Sequence, residues 1–256
     1  MDLPSKQPFF RVLGVRVNAI QIPNAIAVIE RWIEQRSIGN YVAVTGMHGV
    51  MEAQRSPSLK KDLNNASLVV PDGMPLVWLG RWHKFPMRRR VYGPELLEAF
   101  CHETKDRYRH FFYGGGTGVA AELAEVLRRR HGIRIAGCYT PPFRKLNQEE
   151  ERELFELLKA CSPDVLWVGL STPKQELWMA ENSGRAGIPV MVGVGAAFDF
   201  LTGRTRQAPI WMREHGLEWL FRLGVEPKRL WHRYLIYGPQ FLWNVALELS
   251  RIKDFT

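Results

Sequence analysis

Among 256 residues there are only three cysteines, Cys101, Cys138 and Cys161, far apart and in no CxxC pair. An odd, scattered set argues against a disulfide framework or a thiolate zinc site, and a reducing cytoplasm is the natural compartment. The first residues carry no basic segment followed by an apolar run, so no signal peptide is expected. No run of about 18 apolar residues occurs, so no spanning helix is expected either. The nearest approach, residues 234–249, is broken by Gly238-Pro239, Asn244 and Glu248. His48, His102 and His215 make neither HxH nor HxxxH, so no metal site is expected. GxSxG and Walker A sequences are missing, as are internal repeats and low-complexity tracts. Acidic residues are in deficit, 26 Asp+Glu against 35 Lys+Arg, a net charge of +9. That balance favours a polyanionic partner: nucleic acid, an acidic membrane surface or a phosphorylated substrate.

What is present is a regular alternation. Residues 9–20 read as a β-hairpin, followed by a helix capped by Asn24 with Ile26, Ile29, Trp32 and Ile33 on one face. A strand at 41–45 leads to helical stretches through Arg55 and near 57–65. A short apolar run at 68–70 ends in Pro71-Asp72-Gly73, a strand tip and turn. Helical segments near 74–82 and 94–107 follow. Strands at 110–113, 133–138, 164–169 and 188–194 then alternate with amphipathic helices at 117–130, 147–161 and 173–183. This pattern predicts an α/β fold: a Rossmann-like, mostly parallel sheet flanked by helices. Ligands in such sheets bind beyond the carboxyl ends of the strands. After residue 203 the texture changes. Residues 204–256 carry nine Lys/Arg and four of the nine tryptophans, Trp211, Trp219, Trp231 and Trp243. The expected organisation is therefore a core, 1–203, and a basic, aromatic helical appendage, 204–256.

Several segments at strand ends could carry chemistry. Asp72 closes an apolar strand, where low-dielectric surroundings would raise its pKa and suit a general base; the competing reading is an ordinary turn Asp. Gly114-Gly-Gly116-Thr-Gly118 follows a strand and opens a helix, so its backbone N–H groups could meet a diphosphate. It also fits GxGxxA through Ala121, the dinucleotide fingerprint. The acid that should end the next strand is absent there, which weakens a dinucleotide-dependent oxidoreductase but leaves it as an alternative. Lys174 and Gln175 after Pro173 could meet phosphate and sugar, or simply start a helix. Arg90 could clamp phosphate where Arg88 and Arg89 look solvated. Asp199 could accept from a ribose or cap a turn. The tail could stack on single-stranded nucleic acid, lie on anionic lipid or pack on the core, and the last two outrank the first.

Taken together, YVAVTGMHGV, LVVPDGMPLVWLGR, RVYGPELLEAF, FFYGGGTGVAAELAEVL, VLWVGLSTPKQELWM, VGVGAAFDFLTG and RQAPIWMREHGLEWLFRLGVEPKRLWHRY resemble the WecG/TagA/CpsF glycosyltransferases from about Phe9 to Phe241. The resemblance implies an inverting, metal-independent transferase without a cofactor, peripheral on the cytoplasmic face of the membrane in cell-surface polysaccharide biosynthesis. It would move a hexose from a nucleotide-sugar donor, a UDP-hexose, to a polyprenyl-diphosphate-linked sugar. The family's catalytic aspartate falls on Asp72, and its site threonine, arginine and glutamine fall on Thr45, Arg90 and Gln175. Asp199 falls at its nucleotide contact, and the appendage arginines are Arg222, Arg229 and Arg233. Gly114 and Gly116 are the glycine turn. An anionic membrane surface is the expected partner, nucleic acid is not, and the family analogy allows a homo-oligomer. Where many members have Asn, this chain has Met47; His48 could replace that group. The departure points to UDP-glucose and β-1,4 transfer of the xanthan type, with a UDP-N-acetylmannosamine donor of the teichoic-acid or enterobacterial-antigen kind as the alternative.

Overall fold

The computed structural model describes residues 7–255, the side chain of Arg229 excepted. In chain order the elements begin with β1 (Phe9–Val12), β2 (Val15–Asn18), α1 (Ile22–Glu34), β3 (Asn40–Thr45), α2 (Met47–Arg55), α3 (Pro57–Asn65), β4 (Leu68–Pro71) and α4 (Met74–Trp82). They continue with α5 (Gly93–Thr104), β5 (Arg109–Gly114), α6 (Val119–His131), β6 (Arg134–Tyr139), α7 (Gln148–Cys161), β7 (Val165–Gly169), α8 (Lys174–Asn182), β8 (Val190–Gly193) and α9 (Ala197–Leu201). The last four helices are α10 (Ile210–Glu214), α11 (Glu218–Val225), α12 (Pro227–Trp231) and α13 (Tyr237–Leu249), with one π-helical turn, His232–Ile236, between α12 and α13.

The expected α/β architecture is present. The six-stranded sheet has the order β4-β3-β8-β7-β5-β6, and the β3–β8, β8–β7, β7–β5 and β5–β6 pairings are all parallel. Parallel strands covered on both faces read as continuous apolar runs, which is how β7 and β8 appear in the sequence. Separately, β1 and β2 form the expected antiparallel hairpin, with Phe9 opposite Asn18 and Val12 opposite Val15.

Contacts divide the chain into two compact units, neither contiguous in sequence. One comprises 22–43 and 93–205. Its core is the wall of Phe111, Phe112, Leu166, Trp167, Val168, Met191 and Val192, all fully buried. At its centre the Trp167 indole donates to His110 Nδ1 at 3.0 Å, and burial lowers the His110 pKa to about 3, so the imidazole is neutral. The other unit comprises, among the described residues, 7–21, 44–92 and 206–255. There the helical tail is held by core contacts as well as polar ones. Leu230, Tyr237, Phe241 and Val245 are buried, Glu248 accepts the Leu13 N–H at 3.0 Å, and the Arg55 guanidinium donates to the Tyr237 hydroxyl at 2.5 Å.

One local expectation fails. Asn24 does not cap α1, because the helix begins two residues earlier at Ile22. Pro23, with its φ already helical and no N–H to satisfy, fits the first turn and extends the helix past Asn24. By contrast, α3 and α4 have the expected bounds. Ser56 caps α3 by accepting the Leu59 N–H, and Pro57 occupies the first helical position.

Since Phe241 fills a core position in its unit, Phe241→Ala is expected to destabilise the protein by about 3–5 kcal/mol. Equilibrium urea unfolding followed by circular dichroism measures it.

Candidate active site

Asp72 follows β4 directly. Its backbone N–H donates to Thr45 O at 2.7 Å, and Val91 N–H donates to Pro71 O at 2.8 Å, so the ends of β3 and β4 and the start of the 91–92 segment are laced together. Space there is tight. A β-carbon at Gly46 would stand 2.2 Å from Asp72 O, so only glycine lets α2 begin this close to the aspartate.

Around Asp72 the structure gathers charge in one unit. Arg90 forms a close ion pair with Glu218 of α11, and each of these two side chains is only 11% exposed. The Arg90 guanidinium also lies over the Tyr92 ring, 4.1 Å from its centroid, and Arg213 lies 5.9 Å from the same ring. Burial is the main influence on Asp72 and pushes its pKa up. Arg90, Arg233 and Arg222 pull it back and Glu218 pushes it further, leaving it at about 6. Tyr92 is raised well above the ordinary tyrosine range, first by burial and then by Glu218 and Asp72, so its phenol stays protonated. An aspartate that titrates near pH 6 among guanidinium groups can hold a proton taken from an alcohol while anionic oxygens are neutralised beside it.

Other expected site residues join this group. Thr45 is 2% exposed, and its hydroxyl has no hydrogen-bond partner among the described residues. A buried hydroxyl without a partner marks a place where a ligand atom would relieve a desolvation cost. His48 stands in the first turn of α2, its ring 5.8 Å from that of Tyr237. Burial, then Arg233 and His232, lower the His48 pKa to about 3, so it acts as a neutral hydrogen-bonding group. Arg222 approaches Glu226, the residue just past the end of α11, at 3.8 Å, and the Arg233 guanidinium is 5.8 Å from the Tyr234 ring. Arg229 lies in α12, with its side chain outside the described residues.

The second unit holds the remaining expected residues. Gly114 has φ +128, and a β-carbon there would come within 2.5 Å of Gly169 O; Gly115 N–H donates to the same carbonyl at 3.0 Å. The glycine therefore lets β5 and β7 end in register. Gly116 differs. It has no positive φ, and a β-carbon would only touch Val119 at 3.7 Å. The left-handed position at the mouth of α6 is Gly118, φ +79. Gln175, at the start of α8, is 2% exposed. Its carbonyl accepts the Gly195 N–H at 3.0 Å and its amide donates to Glu176 at 3.1 Å, while Thr172 donates to the same Glu176 oxygen at 2.8 Å. Gln175 thus braces the turn after β8. Asp199 sits in the first turn of α9, half-buried, with no hydrogen bond or ion pair to its carboxylate among the described residues.

The sequence reading missed Glu218, Tyr92 and Glu176. Glu218 had a legible signal, a lone acid opening the aromatic helix GLEWLFRL, but nothing in the sequence says that Arg90 is its partner.

A family model described as "Glycosyl transferase WecG/TagA/CpsF family" matches residues 10–254. The chain belongs to this family. Relatives agree over most of their length. The "N-acetylglucosaminyldiphosphoundecaprenol N-acetyl-beta-D-mannosaminyltransferase" of Bacillus spizizenii is 28% identical over 217 residues, 84% of this chain and 82% of the relative. A Staphylococcus aureus protein of the same name is 26% identical over 243 residues, 94% of each chain. The protein is accordingly a glycosyltransferase. The alternative of an oxidoreductase on the glycine turn gains no support from any of these relatives.

Glu218 raises the pKa of Asp72. Glu218→Gln therefore lowers that pKa, because Arg90, Arg222 and Arg233 then act unopposed. Asp72 loses its charge as pH falls through its pKa, so, with Asp72 as the base, the acid limb of kcat/KM should move to lower pH in Glu218→Gln. A pH–rate profile of both enzymes measures the shift; an unmoved limb would separate Glu218 from Asp72.

Proposed function

We propose that the protein transfers a hexosamine residue, with inversion, from a nucleoside-diphosphate sugar to the sugar of a polyprenyl-diphosphate lipid. The observation that carries this reading is Asp72, titrating near pH 6 inside a cluster of arginines at the end of β4. The acceptor hydroxyl attacks the anomeric carbon of the donor from the face opposite the leaving group. A new carbon–oxygen bond forms as the bond to the diphosphate oxygen breaks. The hydroxyl proton passes to Asp72, and the bonding pair leaves on the nucleoside diphosphate. Arg90, Arg222, Arg229 and Arg233 are the groups proposed to meet the charge that develops there, each guanidinium worth roughly 3–4 kcal/mol in the transition state. Thr45 and His48 offer hydroxyl and neutral imidazole to the donor sugar. On the second unit, Gly114, Gly116, Gln175 and Asp199 are proposed by themselves as a nucleotide-binding surface, with the glycine turn offering backbone N–H groups and Asp199 a carboxylate that can accept from ribose hydroxyls.

The relatives' names support an N-acetylmannosamine donor, taken here as the UDP sugar, and an N-acetylglucosaminyl-diphosphoundecaprenol acceptor. UDP-glucose, to which Met47 pointed in the sequence, gains no support from those names and serves as the competing donor in the test. No described helix is long and apolar enough to cross a membrane. Access to the lipid acceptor is proposed to come from the basic, aromatic helices of 204–256 lying on the inner membrane face, with the peripheral enzyme in the cytoplasm.

A donor panel decides the specificity. UDP-N-acetylmannosamine, UDP-glucose and UDP-glucuronate are offered with a short polyprenyl-diphosphate N-acetylglucosamine acceptor, with and without EDTA. Product from UDP-N-acetylmannosamine alone is expected, whereas transfer from UDP-glucose alone would replace the donor assignment. Asp72→Asn should lower kcat about 10²–10⁴-fold while UDP binding by calorimetry stays near the parent value. The parent's kcat/KM should rise with pH through about 6, because the base works only when deprotonated.

A further inference from the structure

Helix α4 begins two residues after Asp72 and presents two tryptophans to solvent. Trp78 is 50% and Trp82 is 70% exposed. At a spacing of four residues they share one face of the helix. Isolated exposed apolar residues are common on soluble proteins, but a paired indole face is not. The turn after α10 abuts it: a β-carbon at Gly216 would be 3.1 Å from the Trp78 ring. Helix α10 itself exposes Ile210 and Trp211.

Cations outnumber acids nearby. From Gly73 to Pro94 the chain has five Lys/Arg and no acid. Glu214 of α10 pairs with Arg89 and Glu218 with Arg90, and the remaining cations of the stretch have no such partner among the described residues. Arg81 donates to Met87 O and to Arg88 O, both at 2.7 Å, which folds the 87–88 segment back beside the end of α4. Arg81, Lys84 and Arg88 are exposed, and none has an acidic partner among the described residues.

We infer that the Trp78–Trp82 face of α4, with Arg81, Lys84 and Arg88 at its margin, docks on an anionic lipid bilayer. The inference rests on the proposed reading of the lipid-linked acceptor and adds a second contact to the one proposed for the tail. Indoles sit at headgroup depth, and exposed cations attract an anionic leaflet. The spacing suits the substrate. At 1.5 Å per residue, Trp78 and Trp82 lie about 6 and 12 Å along the axis from Met74. That is comparable with the reach of a sugar and its diphosphate, so a hydroxyl at Asp72 can belong to a lipid whose chain stays in the bilayer. A second copy of the chain is the weaker occupant, because a two-fold contact through this face would set like charges against one another.

The test uses the full-length enzyme, its Trp82→Ser and Trp78→Ser/Trp82→Ser variants, and Lys84→Glu/Arg88→Glu. Co-sedimentation is measured with phosphatidylglycerol-containing and with pure phosphatidylcholine vesicles, and sedimentation velocity reports mass. The double tryptophan variant is expected to bind anionic vesicles on the order of tenfold more weakly. Charge reversal should weaken the preference for anionic vesicles several-fold, the tail supplying the remainder, and turnover of a water-soluble short-chain acceptor should stay within about twofold of the parent. Trp82→Ser alone should show a smaller loss and keeps the test open if removal of Trp78, which touches Gly216, impairs folding. Unchanged partitioning in the tryptophan and charge variants overturns the inference. So does a change in mass without a change in vesicle binding, which would assign the face to self-association. Asp72→Asn in the same assays separates the two readings. If it turns over normally the transfer mechanism fails, whereas a dead Asp72→Asn beside fully binding tryptophan variants removes only the α4 docking.

Discussion

The charged cluster around Asp72 depends on the ion pair between Arg90 and Glu218, two side chains almost withdrawn from water. Such a pair does not commend itself as a source of stability. Desolvating a carboxylate and a guanidinium costs several kcal/mol per ion, and mutual attraction roughly offsets that. What the pair does is position. Arg90 comes from the loop after α4 and Glu218 from the start of α11, so their contact fixes one guanidinium where two distant stretches of chain meet. With the Tyr92 ring stacked on the same guanidinium, Arg90 has little freedom left. Preorganised charge of this kind is what a transition state with a departing diphosphate requires, since nothing has to reorganise as the charge appears.

Asp72 shows how opposing influences in one environment set the basicity of a carboxyl. Burial alone would leave a carboxyl too reluctant to ionise. Several arginines alone would leave it too weak a base. Their opposition, with Glu218 on the side of burial, brings it to a value near 6, where it is ionised at neutral pH and still basic enough to accept a proton. Each influence is ordinary, and the working value arises from their balance.

The second unit relies on backbone instead. Gly114 closes the end of β5 against Gly169, Gly118 opens α6, and Gln175 spends its amide on the turn that follows β8. The acid buried there, Glu176, is met by the Thr172 hydroxyl and the Gln175 amide, and N–H groups at a helix start add fixed partial positive charge. Gly116 illustrates the limit of motif reading. It belongs to the GxGxxA pattern, yet its conformation is open to other residues, and the conformational demand falls on Gly114, Gly115 and Gly118.

Local chemistry was legible in the sequence wherever it is decided locally. Alternating apolar runs and amphipathic stretches determined the parallel α/β sheet, the hairpin and the bounds of α3 and α4, because hydrophobic periodicity and helix-start residues act within a few positions. Strand-end placement likewise made Asp72 a candidate beside its reading as a turn residue, whereas Thr45 and Arg90 came from the family resemblance. The start of α1 escaped, since Pro23 and Asn24 both suit a helix entry and the sequence does not rank them. Glu218 as the partner of Arg90, the burial of the tail through Phe241 and Val245, and the open tryptophan face of α4 were decided only by the tertiary structure. Each depends on residues more than a hundred positions apart, or on which face of a helix is left uncovered. Desolvation and long-range pairing come into being only when the chain has folded, so no local pattern encodes them.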